Sequence, residues 1–356
     1  MEKRLKKDWT FLNANESNQK PRALENLDLT GFDFNRYPNS EPTQLKKSVI
    51  RQLTSLMSRF EPECAYPSLS EENLIMGTGS DEILKLILET FLRKDGVVLM
   101  PSPSFSEYKK ITEAVKGRWV EVVSDQLTAD IDVLIQASKS ENADVIFLAN
   151  PNNPTGQLFD LSEINRLLEE TKAIIVIDEA YAEFCAMTAI NLAVQHPRLI
   201  VTRTLSKAYG LASLRIGYAV ATEGVIEQMN ALRLTYNISG ISEWLAVKAL
   251  RDPKAVEPYL DQVIQLRGKA IWMLSQFDFI NLYPSAANFL LIEMLDQTLY
   301  EVWNQSLAEE KIKVRAFEQT SGRLSRCVRV TLTDEHEFML FYNTLKRLEG
   351  DRHDRT

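Results

Sequence analysis

Cysteine and histidine are scarce, with three of each in 356 residues. Cys64, Cys185 and Cys327 are far apart and odd in number, so no disulfide framework is expected. His196, His336 and His353 are equally scattered, and without paired His/Cys spacing no zinc-type metal site is proposed. His196 precedes Pro197 and His353 sits in the charged tail Gly350 to Thr356, so both read as solvated loop residues rather than members of a catalytic triad. An apolar run of the roughly 20 residues that a membrane span needs is also missing. The start, Met1 to Lys7, is charged and lacks the apolar core of a secretory signal. Basic charge is in deficit: 41 Lys and Arg against 49 Asp and Glu leave a net −8, which argues against a general nucleic-acid binder. These absences leave a cytoplasmic globular protein with neither membrane nor nucleic acid as partner. Its length suggests about two domains.

What is present is a series of short apolar runs alternating with amphipathic stretches. Asn73 to Met76, Val97 to Met100, Val145 to Ala149, Ala173 to Ile177, Leu199 to Val201 and Tyr218 to Ala221 read as strands. Asp81 to Leu92 and Leu161 to Glu170 repeat apolar residues at helical spacing. Strands apolar on both faces and separated by helices indicate a mainly parallel sheet covered on both sides, an α/β architecture. After about Ser242 the pattern changes to a long helical stretch from Glu243 to Leu274, interrupted near Asp252 and Pro253. Then follow strands at Asn288 to Glu293, Lys313 to Phe317 and Arg326 to Leu332, with helices at Leu299 to Glu310 and Glu335 to Leu348. The expectation is a large domain over 38–245 and a smaller α+β domain over 246–356. Residues 1–37 have little periodicity and are expected to wrap as an arm onto the smaller part.

In open α/β sheets ligands bind beyond the carboxyl ends of the strands, so the polar residues following each apolar run are the candidates. Gly77-Thr78-Gly79-Ser80-Asp81-Glu82 leads into a helix, whose free first-turn amides can hold an anion; plain helix capping is the commoner use. Asn150 to Gly156 is a constrained turn that presents asparagines, although a structural loop could use it too. Asp178-Glu179-Ala180-Tyr181 ends a fully apolar strand with a carboxylate, which is costly to bury unless a cation pairs with it. Lys207 is followed by apolar and aromatic neighbours, and a desolvated lysine can form a Schiff base. Thr204, Ser206 and Arg215 offer donors suited to phosphate. Together the segments ask for one ligand with a phosphate, an aldehyde, a ring cation and a ring oxygen. Pyridoxal 5′-phosphate has all four.

At this point the sequence resembles the pyridoxal-phosphate-dependent aminotransferases of the aspartate-aminotransferase fold, and within them the histidinol-phosphate branch. The stretches that carry the resemblance are Leu12 to Glu16, Arg36-Tyr37-Pro38, Gly79 to Glu82, Pro151 to Gly156, Asp178 to Tyr181, Thr204 to Tyr218 and Cys327 to Thr331, in family order over nearly the whole chain. The resemblance implies that Lys207 binds the cofactor's aldehyde and moves the proton, that Asp178 pairs with the ring nitrogen, and that Asn153 and Tyr181 bond the ring oxygen. Phe105 would stack on the ring. Ser80, Asp81, Thr204, Ser206 and Arg215 would hold the phosphate. Tyr37 would reach across a homodimer to the neighbouring subunit's cofactor. Arg329 and Arg315 would grip the substrate's anionic ends, and Asn15 would line the substrate pocket. The implied reaction moves an amino group between a small-molecule amino donor, L-histidinol phosphate foremost, and a 2-oxo acid such as 2-oxoglutarate. A threonine-phosphate decarboxylase and an aromatic aminotransferase are the alternatives. The chain departs from the family pattern at Asn15-Glu16-Ser17-Asn18, at Phe105 where tyrosine is usual, and at Ser213 where glycine is common.

Overall fold

The computed structural model describes residues 8–60, 69–123, 126–318, 320 and 322–353; Met1 to Lys7 and Cys64 lie outside them. Seven strands form the main sheet: β2 (Leu74–Thr78), β3 (Val97–Ser102), β4 (Arg118–Val123), β5 (Val145–Ala149), β6 (Ile174–Asp178), β7 (Leu199–Thr204) and β8 (Ile216–Val220). Their order is β2-β8-β7-β6-β5-β3-β4. Only β8 runs antiparallel to its neighbours. The alternation along each strand explains the continuous apolar runs. Ile146, Leu148, Ile175, Ile177 and Val201 point to one face and pack on Leu45, Val49, Leu53, Ile164 and Leu167. Val145, Phe147, Val176 and Ile200 point to the other and pack on Ile83, Leu84, Ile87 and Ile226. Both faces are therefore buried, as a parallel sheet requires.

The apolar runs and the two periodic helices fall where the sequence puts them, within a few residues at the ends. The helix Gly79–Phe91 starts two residues before Asp81. β4 is not a visible apolar run: Arg-Trp-Val-Glu-Val-Val is half-buried at the sheet edge. The helices Thr43–Phe60, Glu107–Ala114, Ile131–Glu141 and Glu223–Asn230 complete the cover.

A second sheet, entirely antiparallel, has the order β12-β13-β10-β9: β12 (Arg315–Ala316), β13 (Cys327–Thr331), β10 (Phe289–Met294) and β9 (Ile280–Leu282). The helices Glu257–Leu274, Gln297–Glu309 and Glu335–His353 cover it through Leu260, Val263, Trp303, Phe338 and Phe341. The last helix thus reaches His353, so that residue is helical and not in a loop. The N-terminal arm adds β1 (Thr10–Phe11) in parallel to β11 (Ile312–Lys313). Beyond β1, the Leu12 amide donates to the Lys313 carbonyl (2.8 Å) and the Thr331 amide to the Leu12 carbonyl (2.9 Å). The arm thereby lies against the second sheet and carries residues 13–16 to the carboxyl ends of the main strands. Among the described residues no helix is long and apolar enough to cross a membrane.

Candidate active site

The carboxyl ends of β3, β4, β5, β6 and β7 and the start of the helix after β2 open into a cavity of about 1380 Å³, closed on its far side by β12, β13 and the arm. Six basic and four acidic side chains line it among the described residues, a basic excess inside a chain of net charge −8. Such a site favours anionic ligands.

Its first end is a cradle at the start of helix Gly79–Phe91. Gly79 has φ +78°, and its amide donates to the Arg215 carbonyl (2.9 Å). A Cβ there would sit 2.5 Å from the Arg215 guanidinium. Across from it, a Cβ on Gly217 would lie 2.2 Å from the Ser80 amide nitrogen. Two glycines therefore let β8 and the helix start close on each other. Ser80 and Asp81 line the cavity in the helix's first turn, where amides lack intrahelical acceptors. Thr204 Oγ1 and Ser206 Oγ are 2.9 Å apart beside them, and Arg215 Nη2 reaches Asp81 Oδ2 at 3.2 Å. Backbone amides, hydroxyls and a guanidinium on one wall are donors suited to a phosphate.

Asp178 ends β6 at the floor, 4% exposed. Its carboxylate accepts from the Tyr108 hydroxyl (2.8 Å) and the Thr202 hydroxyl (3.2 Å). Burial pushes this carboxyl up to about 6, against the pull of Tyr108, Thr202 and the Ala180 amide. Among the described residues no cation forms a salt bridge with it, so it is a buried acid facing a cavity and lacking its counter-charge. A protonated ring nitrogen meets that need. Lys207 follows β7, half-buried, with Nζ donating to the Ala14 carbonyl (2.8 Å) and lying 5.9 Å from the Tyr181 ring centroid. Phe105 lines the same wall.

The three asparagines of the constrained turn divide their work. Asn150 exchanges two hydrogen bonds with the Phe159 backbone, and Asn152 holds Ser104, Thr155 and the Pro103 carbonyl. Asn153 alone of the three lines the cavity. Its amide donates to the Tyr181 hydroxyl (3.5 Å), which also accepts from the Asn15 amide (2.9 Å). Asn15 is buried at φ 53° and is fixed by Thr331 from both its amide and its side-chain oxygen.

At the second end, Arg315 and Arg329 stand directly opposite in the β12–β13 register. Arg329 is 7% exposed; it binds Asn153 Oδ1 and the Asn13 carbonyl (2.7 Å), while its Nε has no partner among the described residues. Burial and the neighbouring Arg315 both lower its pKa, with Tyr181 opposing. Arg315 is exposed and lies over Phe317. A buried guanidinium with an unused donor, beside a second and exposed one, is set to receive an anion.

Residues 7–339 match the family described as aminotransferase class I and II. The chain belongs to the class I and II aminotransferases. It is 34% identical over 343 residues to a histidinol-phosphate aminotransferase of Ruminiclostridium cellulolyticum, covering 94% of this chain and 91% of the relative. A second, from Thermoanaerobacter pseudethanolicus, is 34% identical over 331 residues, 89% of this chain and 92% of the relative. Among solved structures, histidinol-phosphate aminotransferase from Sinorhizobium meliloti in complex with pyridoxal-5′-phosphate superposes with a TM-score of 0.82 at 24% identity, over 95% of this chain and 90% of that one. That last likeness bears on the fold.

The aminotransferase is therefore a pyridoxal-phosphate enzyme, and its residues fit the cofactor: a phosphate cradle, a lysine and an unpaired buried acid share one cavity. Every site residue expected from the sequence lines that cavity except Tyr37. Tyr37 is 82% exposed and stacks on Tyr236 with centroids 4.9 Å apart. Sequence reading missed Tyr108, Thr202, Asn13 and the Ala14 carbonyl. Thr202 had a visible signal, as an inward hydroxyl in an apolar strand beside Asp178's; the other three depend on contacts with partners 70 or more residues away.

Proposed function

We propose that this aminotransferase moves an amino group between L-histidinol phosphate and 2-oxoglutarate. The Arg315–Arg329 pair at the substrate end of the cavity carries this reading, because both substrates present a phosphate or carboxylate there. The names of its relatives agree. When bound, pyridoxal 5′-phosphate supplies the aldehyde that takes up the amino group and a ring that accepts the electrons released at Cα. Lys207 would hold the cofactor through that aldehyde and, once the incoming amino donor has displaced its amine, would move the proton released at the substrate Cα. Asp178 would keep the ring nitrogen protonated. Asn153 and Tyr181 would bond the ring oxygen, and Phe105 would stack on the ring. Ser80, Asp81, Thr204, Ser206 and Arg215 would hold the phosphate. Asn15 sets the position of Tyr181, and Arg329 grips one anionic end of the substrate while Arg315 takes another.

The working unit in this proposal is a cytoplasmic homodimer. Its support is a run of exposed apolar side chains, Phe34, Tyr37, Leu232, Leu234 and Tyr236, which a monomer would leave in water. Tyr37 in that surface would serve the partner's cofactor phosphate. Each protomer divides into a large domain over 38–245 and a smaller one formed by 1–37 and 246–356.

The test is substrate choice. With 2-oxoglutarate in excess, L-histidinol phosphate should yield glutamate with a higher kcat/KM than phenylalanine, and O-phosphothreonine should release no carbon dioxide. A preference for phenylalanine, or decarboxylation, would overturn the substrate assignment and leave the cofactor site standing.

A further inference from the structure

Tyr108 is fully buried in the first turn of helix Glu107–Ala114 and makes three contacts, two of them with residues that line the cavity, Asp178 and Phe105. Its hydroxyl donates to Asp178 Oδ2 at 2.8 Å. Its ring stacks on Phe147 of β5, with centroids 4.8 Å apart and planes inclined by 25°. Its ring edge meets Phe105 at 5.4 Å and 88°. The helix also returns a bond, from Thr112 Oγ1 to the Tyr108 carbonyl (2.7 Å), which fixes the turn. The side chain is thus held from its tip, its face and its edge. We propose that Tyr108 is a positioning residue whose hydroxyl holds Asp178 ionised and aimed into the cavity while its ring sets Phe105, so that one side chain orders both groups assigned to the cofactor's ring. This rests on the assignment of Asp178 to the ring nitrogen.

The chemistry follows from what surrounds the acid. A carboxylate with no salt-bridge partner among the described residues is held charged only by donors. Asp178 has three: the Tyr108 hydroxyl, the Thr202 hydroxyl and the Ala180 amide. The other titratable group acting on it is Asp81 from the helix Gly79–Phe91; Tyr181, beyond its own strand, acts on Tyr108, and Tyr181 and Lys207 line the same cavity. Asp81 opposes ionisation. Tyr108 keeps its proton across the working range, since burial and Asp178 both raise its pKa well above the ordinary phenol value. It therefore acts as a permanent donor and not as an acid in the reaction. Removing its hydroxyl raises the pH at which Asp178 ionises, by about one unit for a bond of this kind.

The experiment measures pyridoxal 5′-phosphate affinity of the cofactor-stripped full-length protein from pH 5.5 to 9, for wild type, Tyr108→Phe, Asp178→Asn and the double variant. Ratios between variants at one pH cancel the ligand's own titrations. Tyr108→Phe should bind about fivefold more weakly than wild type at pH 6 and within twofold at pH 8.5. In the Asp178→Asn background the same change should leave a flat ratio. A Tyr108→Phe ratio that is unity, or equally depressed at every pH, would overturn the proposal. Should Tyr108→Phe fail to fold, Thr202→Val must show the same pH-dependent pattern with a smaller amplitude, and its absence would count equally against it. Asp178→Asn binding as well as wild type would instead remove the assignment of Asp178.

Discussion

A single carboxyl decides much of the chemistry at the residue scale. Asp178 costs stability in the cofactor-free protein, because burial lifts its pKa from an unfolded value near 3.8 to about 6. Below the lower value both states hold the proton and nothing is lost. Between the two, the unfolded chain releases a proton that the folded one keeps, so stability falls as pH rises; above about 6 the loss is complete. Two units correspond to roughly 3 kcal/mol. Asp178→Asn should therefore raise the denaturation midpoint of the cofactor-free protein at pH 8 and leave it unchanged near pH 3.5, while cutting turnover of the loaded enzyme severely. Equal midpoints at pH 8 would mean that water or a cation relieves the acid. Lys207 bears on turnover and not on the fold. Its amine rests on the Ala14 carbonyl in a half-buried site, so Lys207→Ala should remove turnover by at least 1000-fold, on the order expected for a lost covalent nucleophile. Borohydride should then no longer fix the cofactor, and circular dichroism should show an unchanged fold.

Elements explain both what is legible in the sequence and what is not. Ala-Ile-Ile-Val-Ile and Val-Ile-Phe-Leu-Ala announce central strands because both of their faces are buried, and the turn after each run then supplies a cavity residue, Asp178 directly after the first and Asn153 four residues after the second. β4 is hidden because an edge strand buries only part of its surface, and its Arg-Trp-Val-Glu alternation is shared with many exposed helices. The arm is readable only as lacking periodicity. Its two-residue strand owes its position to β11, 302 residues away at Thr10–Ile312, and no local pattern encodes that. Tyr108 likewise reads as one more aromatic. Glycines show the same contrast between local and distant causes. Gly217 in β8 faces the Ser80 amide, and a methyl group 2.2 Å from it forces the strand off the helix that forms the cradle. Gly217→Ala should cost roughly 1–3 kcal/mol and weaken cofactor binding at least tenfold. Gly268, inside helix Glu257–Leu274, has nothing within 4 Å of the place a methyl group would take, so Gly268→Ala should instead add about 0.5–1 kcal/mol. Thermal melts with and without pyridoxal 5′-phosphate separate the two, since only the first should lose its ligand-induced shift.

At the scale of the whole molecule the question is whether one protomer holds a complete site. The cavity gathers residues from the arm, from five strands of the main sheet and from β12 and β13, yet Tyr37 stays outside it, on a surface shared with Phe34, Leu232, Leu234 and Tyr236. In the proposed isologous dimer, each Tyr37 serves the other protomer's cradle. Subunit mixing tests this directly. Lys207→Ala protein lacks its own amine but offers a normal Tyr37; Tyr37→Ala protein has the amine and lacks the phenol. In a mixed dimer one site carries both defects and the other carries neither. Random exchange of equal amounts makes half the dimers mixed, so the mixture should regain about a quarter of wild-type activity beyond what either parent shows alone. If Tyr37 served its own subunit, every site would keep one defect and mixing would restore nothing. Sedimentation of the two parents, run beside the assay, should show both as dimers; a monomeric Tyr37→Ala protein would place the phenol in the interface itself and not at the neighbouring phosphate.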